Sequence, residues 1–303
     1  MDYRPIYFNR WGRFNLPNLE KINLFKNSNG YVSNLDILNV LIKLKADQAD
    51  ILYIHSALNF GLPNPELSRK NILEIIYEVF LSLNVRNLIF PTYTFSFCNN
   101  QFYSKNETQS KMGLLNEFVR ALNESVRSVD PLMSNVLSGK DLNLVLDIGK
   151  SSVGNKSTFD NIHKSNLETK FLFFGPKIGD CFTYMHYIEF DQNVPYRYIK
   201  EFTGEIINDG TRFVDTYELF VRYDNVFPND GSYIYENFLC ENNFALSEQL
   251  GNSFIKIIDK NIAYQQYLNF LSISPNFFIK DIFDPQDLSK NTTNFYVKDM
   301  VAL

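Results

Sequence analysis

Residues 49–58 read ADILYIHSAL and residues 87–95 read NLIFPTYTF. Each contains a short apolar run, Ile51 to Ile54 and Leu88 to Phe90. Such runs are too short for a globular helix and have the form of strands buried on both faces. The first ends at His55-Ser56 and the second at Pro91. Between them, Leu67, Ile72, Ile75, Ile76, Val79 and Phe80 recur at helical spacing, which predicts a helix over 66–83. Strand, helix, strand in this order predicts a βαβ unit with a parallel pair.

Working outward, Ser33 or Asn34 is placed to cap a helix over 35–45. Residues 1–33 are polar and aromatic and end near the turn signal Asn29-Gly30. They read as an N-terminal extension packed on a single domain over 34–303. Downstream, helical periods cover 113–125 and 182–190, and KFLFFG over 170–175 reads as a buried strand. Residues 198–226 alternate apolar and polar, with a turn at Asn208-Asp209-Gly210, which predicts an antiparallel section. Residues 244–271 read as a closing helix, with Pro275 at its exit. The expected class is α/β to α+β: a central mixed sheet flanked by helices, with an additional antiparallel section.

Composition narrows the function. The chain has 303 residues, 45% hydrophobic and 16% aromatic, enough to bury a large core. A net charge of -5 does not suit a nucleic-acid partner. Cys98, Cys181 and Cys240 are too few and too widely spaced for a disulfide framework or a zinc site. Cys181 reads as a small buried side chain, and His163, in a polar segment, as exposed. No signal-peptide pattern and no membrane span is visible, so a cytoplasmic location is expected.

Familiar motifs fail on inspection. The GKSS at 149–152 has Leu144 where a phosphate-wrapping loop needs glycine. Neither a Gly-x-Ser-x-Gly elbow nor a Gly-x-Gly-x-x-Gly loop occurs. Three histidines, His55, His163 and His186, leave little material for a metal centre, and none is expected.

His186 and Glu189 lie three apart on a predicted helix and share a face. A carboxylate beside an imidazole orients it and raises its basicity. Attack by an amine needs a base of that kind, because the amine arrives protonated. The spacing by itself does not separate a catalytic pair from a structural one.

Five segments in order do more. They are His55-Ser56-Ala57-Leu58, Pro91-Thr92-Tyr93-Thr94 and Thr108-Gln109-Ser110-Lys111-Met112-Gly113. After these come Arg127-Ser128-Val129-Asp130-Pro131 with Ser134, and Thr183-x-x-His186-x-x-Glu189. Together, over roughly residues 35–280, they resemble the aminoglycoside 3-N-acetyltransferase family. That family typically shows His-Ser-Ser-Leu, Pro-Thr-Phe-Thr, Thr-Pro-Ser-x-Met-Gly, Arg-Ser-x-His-Pro and Thr-x-x-His-x-x-Glu. The resemblance implies a fold distinct from the GNAT acetyltransferases and acetyl-CoA, or another acyl-CoA, as co-substrate. It implies His186 as general base, with Glu189 positioning it or helping to bind the cationic amine. It also implies that His55, Ser56, Ala57, Thr92, Thr94, Ser110, Arg127 and Ser128 line the coenzyme path. The expected partner is a small-molecule amino sugar, with a homo-oligomer left open. Asp130 replaces the family's His, and Gln109 its Pro. On these departures the acceptor expected is a nucleotide-linked amino sugar for surface polysaccharide, with an aminoglycoside as the alternative. A non-catalytic relative that binds CoA or a partner is the reading from another class.

Overall fold

The computed structural model describes residues 19–224 and 226–280, with the strand backbone of 7–9 and 12–14. Most of the expected extension, residues 1–18, lies outside the fully described part, although β1 (Tyr7–Asn9) and β2 (Gly12–Phe14) pair with each other. The hairpin of β3 (Asn23–Asn27) and β4 (Gly30–Ser33) follows, and Leu24, Phe25 and Val32 are buried in the core. Helix α1 (Asn34–Lys43) starts at Ser33, whose Oγ accepts from Asp36 N while the Asp36 carboxylate accepts from Ser33 N. This reciprocal capping satisfies two otherwise orphaned amides.

Strand β5 (Ile51–Ser56), the short β6 (Leu62–Pro63), helix α2 (Arg69–Ser82) and strand β7 (Asn87–Pro91) contain the expected βαβ unit, with β5 and β7 parallel. Next come β8 (Tyr103–Ser104), α3 (Leu114–Arg120), β9 (Val126–Arg127) and β10 (Asn135–Gly139). They are followed by α4 (Asn143–Leu146), α5 (Thr158–Lys164) and β11 (Thr169–Phe174). Helices α6 (Ile178–Cys181) and α7 (Met185–Asp191) lead into the long hairpin of β12 (Arg197–Asn208) and β13 (Thr211–Arg222). The described chain closes with α8 (Gly231–Glu241), β14 (Ala245–Leu250), β15 (Ser253–Asp259) and α9 (Lys260–Ile273).

The main sheet has the order β14-β15-β11-β5-β7-β10-β9. Its centre, β11-β5-β7, is parallel, and both flanks are antiparallel. It is therefore mixed, as expected. Strand β5 alternates between two cores. Leu52 and Ile54 pack with residues of α1, α2 and α3, while Ile51 and Tyr53 pack on the opposite face with Phe159, Phe171 and Phe173. Each fully buried aliphatic side chain contributes roughly 1.5–3 kcal/mol, so a continuous apolar strand is what this two-sided position selects.

The antiparallel section is the β12–β13 hairpin. Asn208 pairs with Thr211 across a two-residue loop, Asp209 and Gly210, both with positive φ of 48° and 81°. Asp-Gly suits that turn because Gly carries no Cβ and Asp tolerates the left-handed region.

Three expectations are corrected. Residues 245–259 form the β14–β15 hairpin, and helix begins only at Lys260. Leu250 pairs with Ser253 around Gly251, whose φ is +56° and whose missing Cβ would lie 2.2 Å from Phe60 O. The isoleucines of β15 can be fitted to a helical period, but the Gly251-Asn252 turn and the β11 edge decide for strand. The helix expected over 182–190 begins only at Met185, and Phe182 to Tyr184 form the turn between α6 and α7. His163 is half-buried, with Nδ1 2.7 Å from Tyr184 Oη and its ring among Tyr184, Tyr187 and Tyr264. Among the described residues, no helix is long and apolar enough to cross a membrane.

Candidate active site

The carboxyl ends of parallel strands are where loops diverge and clefts open. Here a cavity of about 680 Å³ adjoins the end of β5. His55 lines it from the sheet, Thr183, His186 and Glu189 from α7 and the turn before it, and Arg197 and Arg222 from the hairpin. Much of the remaining wall is apolar, including Met112, Leu132, Met133 and Phe220.

Helix α7 brings His186 and Glu189 onto one face. His186 Nδ1 lies 3.1 Å from Glu189 Oε2 and also 3.1 Å from an Arg197 guanidinium nitrogen. Arg197 Nε sits 2.8 Å from the same carboxylate oxygen, a charge contact and not an aligned hydrogen bond. The other oxygen, Oε1, accepts from Tyr196 Oη at 2.7 Å and Tyr267 Oη at 3.3 Å. Burial opposes the charge on Glu189, but Arg197, His186 and Tyr196 together hold its carboxyl down at about 2. His186 is shifted down from its ordinary value, by burial first and by the Arg197 charge second, with Glu189 opposing both. The imidazole is thus neutral at pH 7, which is the form a base requires.

His55 is 4% exposed and stacks on Phe173 at 5.3 Å between ring centroids. Burial pushes its pKa down to about 3, and its Nε2 has no hydrogen-bond partner among the described residues. Cys181, expected as a small buried side chain, is half-buried and reaches the cavity. Burial raises its thiol well above the ordinary range, so no thiolate nucleophile stands there at neutral pH.

The other residues named from sequence are placed elsewhere. Ser56 Oγ donates to Asn116 Oδ1 at 2.6 Å, and Ala57 N bonds Phe174 O at 2.9 Å. Thr92 Oγ1 donates to Ser134 O and Thr94 Oγ1 to Pro131 O. Ser110 Oγ accepts from Met112 N, and Ser128 Oγ accepts from Asn135 N. Arg127 is 4% exposed and donates to Thr92 O, Lys105 O, Thr108 O and Ser134 Oγ, with its plane over the Tyr103 ring. None of Ser56, Ala57, Thr92, Thr94, Ser110, Arg127 and Ser128 is in the cavity wall. Arg127 instead ties three loops together. Arg127→Met is expected to cost about 3–5 kcal/mol by stranding buried carbonyls, read by chemical denaturation. Asp130, the departure from the family pattern, is likewise turned inward. Its Oδ1 accepts from Leu132 N, Met133 N and Ser152 Oγ, and so shapes the loop that puts Leu132 and Met133 in the cavity.

Arg197 and Arg222 escaped the sequence reading. They are direct cross-strand partners in β12–β13. The Asp209-Gly210 turn sets that register, so pairing outward from the turn was the signal that could have found them.

Comparison with solved structures gives the fold first, which is shared with AAC-IIIb, AAC-VIa and the YokD protein. AAC-IIIb, solved with CoASH, is 14% identical with a TM-score of 0.65, over 79% of this chain and 96% of that one. AAC-VIa with sisomicin bound is 15% identical with a TM-score of 0.66, over 79% and 97%. The YokD protein from Bacillus subtilis is 17% identical with a TM-score of 0.64, over 78% and 92%. No curated protein matches by sequence. The family model for aminoglycoside 3-N-acetyltransferase matches residues 87–271, and the chain belongs to that family. It is an N-acetyltransferase.

Proposed function

We propose that this enzyme moves the acetyl group of acetyl-CoA directly to an amino group of an aminoglycoside-type amino sugar, with His186 as general base. The observation that carries the reading is the buried His186–Glu189–Arg197 cluster at the cavity wall. Likeness to enzymes solved with CoASH and with sisomicin supports the donor and the acceptor class. With the Nδ1 proton donated to Glu189, Arg197 Nη2 stands beside that nitrogen as a charge contact and not as a donor to it, and Nε2 is the basic nitrogen. The bound ammonium first gives one proton to solvent, and Nε2 takes the next as the nitrogen attacks the thioester carbonyl carbon. The C–N bond forms, the C–S bond breaks, and the proton passes from His186 to the departing sulfur. Glu189 stabilises the imidazolium between these steps.

The second reading, a nucleotide-linked amino sugar, has its own support. Arg197 and Arg222 are cross-strand partners and both line the cavity, with Arg197 on Glu189 and with Asp180 and Asp224 also in the wall. A pair of guanidinium groups on one wall suits a phosphate group. The test is release of free CoA thiol with aminoglycosides and nucleotide-linked amino sugars, each offered with several acyl-CoA donors. Turnover with aminoglycosides is expected. Turnover confined to nucleotide-linked amines would move the assignment to the second reading. In that case Arg222→Leu should raise KM for the amine about tenfold, the loss of a charge-assisted hydrogen bond.

A further inference from the structure

Four side chains form a hydrogen-bonded line from the sheet to the cavity. Tyr53 Oη lies 2.6 Å from Asn135 Oδ1 and 2.8 Å from Tyr93 Oη, and Tyr93 Oη lies 2.9 Å from Thr183 Oγ1. The direction of this line can be derived. Asn135 Nδ2 donates to Met133 O at 2.9 Å, which sets the amide so that Oδ1 faces Tyr53. Oδ1 can only accept, so Tyr53 spends its single proton there. Tyr53 must then accept from Tyr93, and Tyr93, its proton spent, must accept from Thr183. Burial pushes both phenols well up, so neither ionises and each keeps its one proton. Tyr53 and Asn135 are at most 1% exposed, and Tyr93, which reaches the cavity wall, is 4% exposed.

Thr183 is the end of the line and lines the cavity one helical turn before His186, whose backbone N–H donates to Thr183 O. Its hydroxyl proton is committed to Tyr93, and what it presents to the cavity is lone pairs. We propose that Thr183 is a binding residue for the acceptor amine: its Oγ1 accepts an N–H and holds the nitrogen beside His186, and it is not a donor to the thioester oxygen. An acceptor-only hydroxyl favours the ammonium form and stays bonded to the amine after His186 has taken one proton. The polarised line also fixes the rotamer that aims this oxygen. The assignment rests on His186 acting as base toward an amine.

Steady-state kinetics of Thr183→Val, Thr183→Ser and Tyr93→Phe with the best acceptor tests it. Thr183→Val should raise KM for the amine about ten- to a hundredfold, the loss of one hydrogen bond to a charged group, with KM for acetyl-CoA within twofold of wild type. Thr183→Ser should restore most of it. In Tyr93→Phe the Thr183 proton loses its acceptor and can turn into the cavity, so KM for the amine should rise there too, with Thr183 itself intact. A fall in kcat with both KM values unchanged would make Thr183 an oxyanion donor and overturn the proposal, as would an unchanged Thr183→Val. Wild-type enzyme that acetylates no amine would overturn the transfer reading as well, so the two failures are distinguishable.

Discussion

His186→Ala is expected to lose about 10²- to 10⁴-fold in kcat, the usual worth of a positioned general base, while the Kd for CoA stays within about twofold. The side chain is partly exposed to the cavity, and no backbone group among the described residues bonds to it, so the variant should fold. The Glu189–Arg197 contact and the tyrosine bonds to Glu189 survive the truncation. Loss of turnover with folding and coenzyme binding intact separates a base from a structural histidine. Equal loss of CoA affinity would place His186 on the donor side.

Glu189→Gln should be more damaging to the protein itself. Glu189 is 1% exposed and its carboxylate stands against Arg197. Neutralising it leaves buried positive charge uncompensated, which typically costs about 3–5 kcal/mol. The sign with pH follows from the depressed carboxyl. Its stabilisation is present above the unfolded value of 4.5 and is lost as the pH falls toward about 2. Urea titrations at pH 7 and pH 4 should therefore show a smaller gap between wild type and Glu189→Gln at the lower pH. A gap that widens on acidification would contradict the charge assignment. Activity should also fall, because the imidazolium formed on His186 loses its counter-ion.

The fold was legible where local pattern and tertiary setting agree. The two-sided burial of β5 and β7 writes itself as continuous apolar runs, and the capping box at Ser33 is local chemistry. Residues 245–259 were misread because Ile255, Ile257 and Ile258 satisfy either period, and the deciding partner, β11, is some eighty residues away in the chain. Of the candidate site, His55, His186 and Glu189 were found from sequence and line the cavity. The seven other named polar or small residues follow the family's segments, and none of them lines the cavity; Thr94, Ser110, Arg127 and Ser128 bond to neighbouring backbone. A motif records that a residue matters and not whether it faces substrate or holds the wall. Arg197, Arg222 and Tyr93 act through long-range register and a buried relay, which composition and spacing do not reveal.

The most direct measurement is the pH dependence of kcat/KM for the best amine acceptor, in wild type and His186→Gln. Burial and Arg197 lower the histidine, so the wild-type profile should carry an acid limb below pH 6.5. A second limb, above neutrality, should follow deprotonation of the amine. In His186→Gln the acid limb should vanish and the rate should fall by at least about a hundredfold. An acid limb that persists in the variant, or a rate that survives the substitution, would contradict His186 as the base.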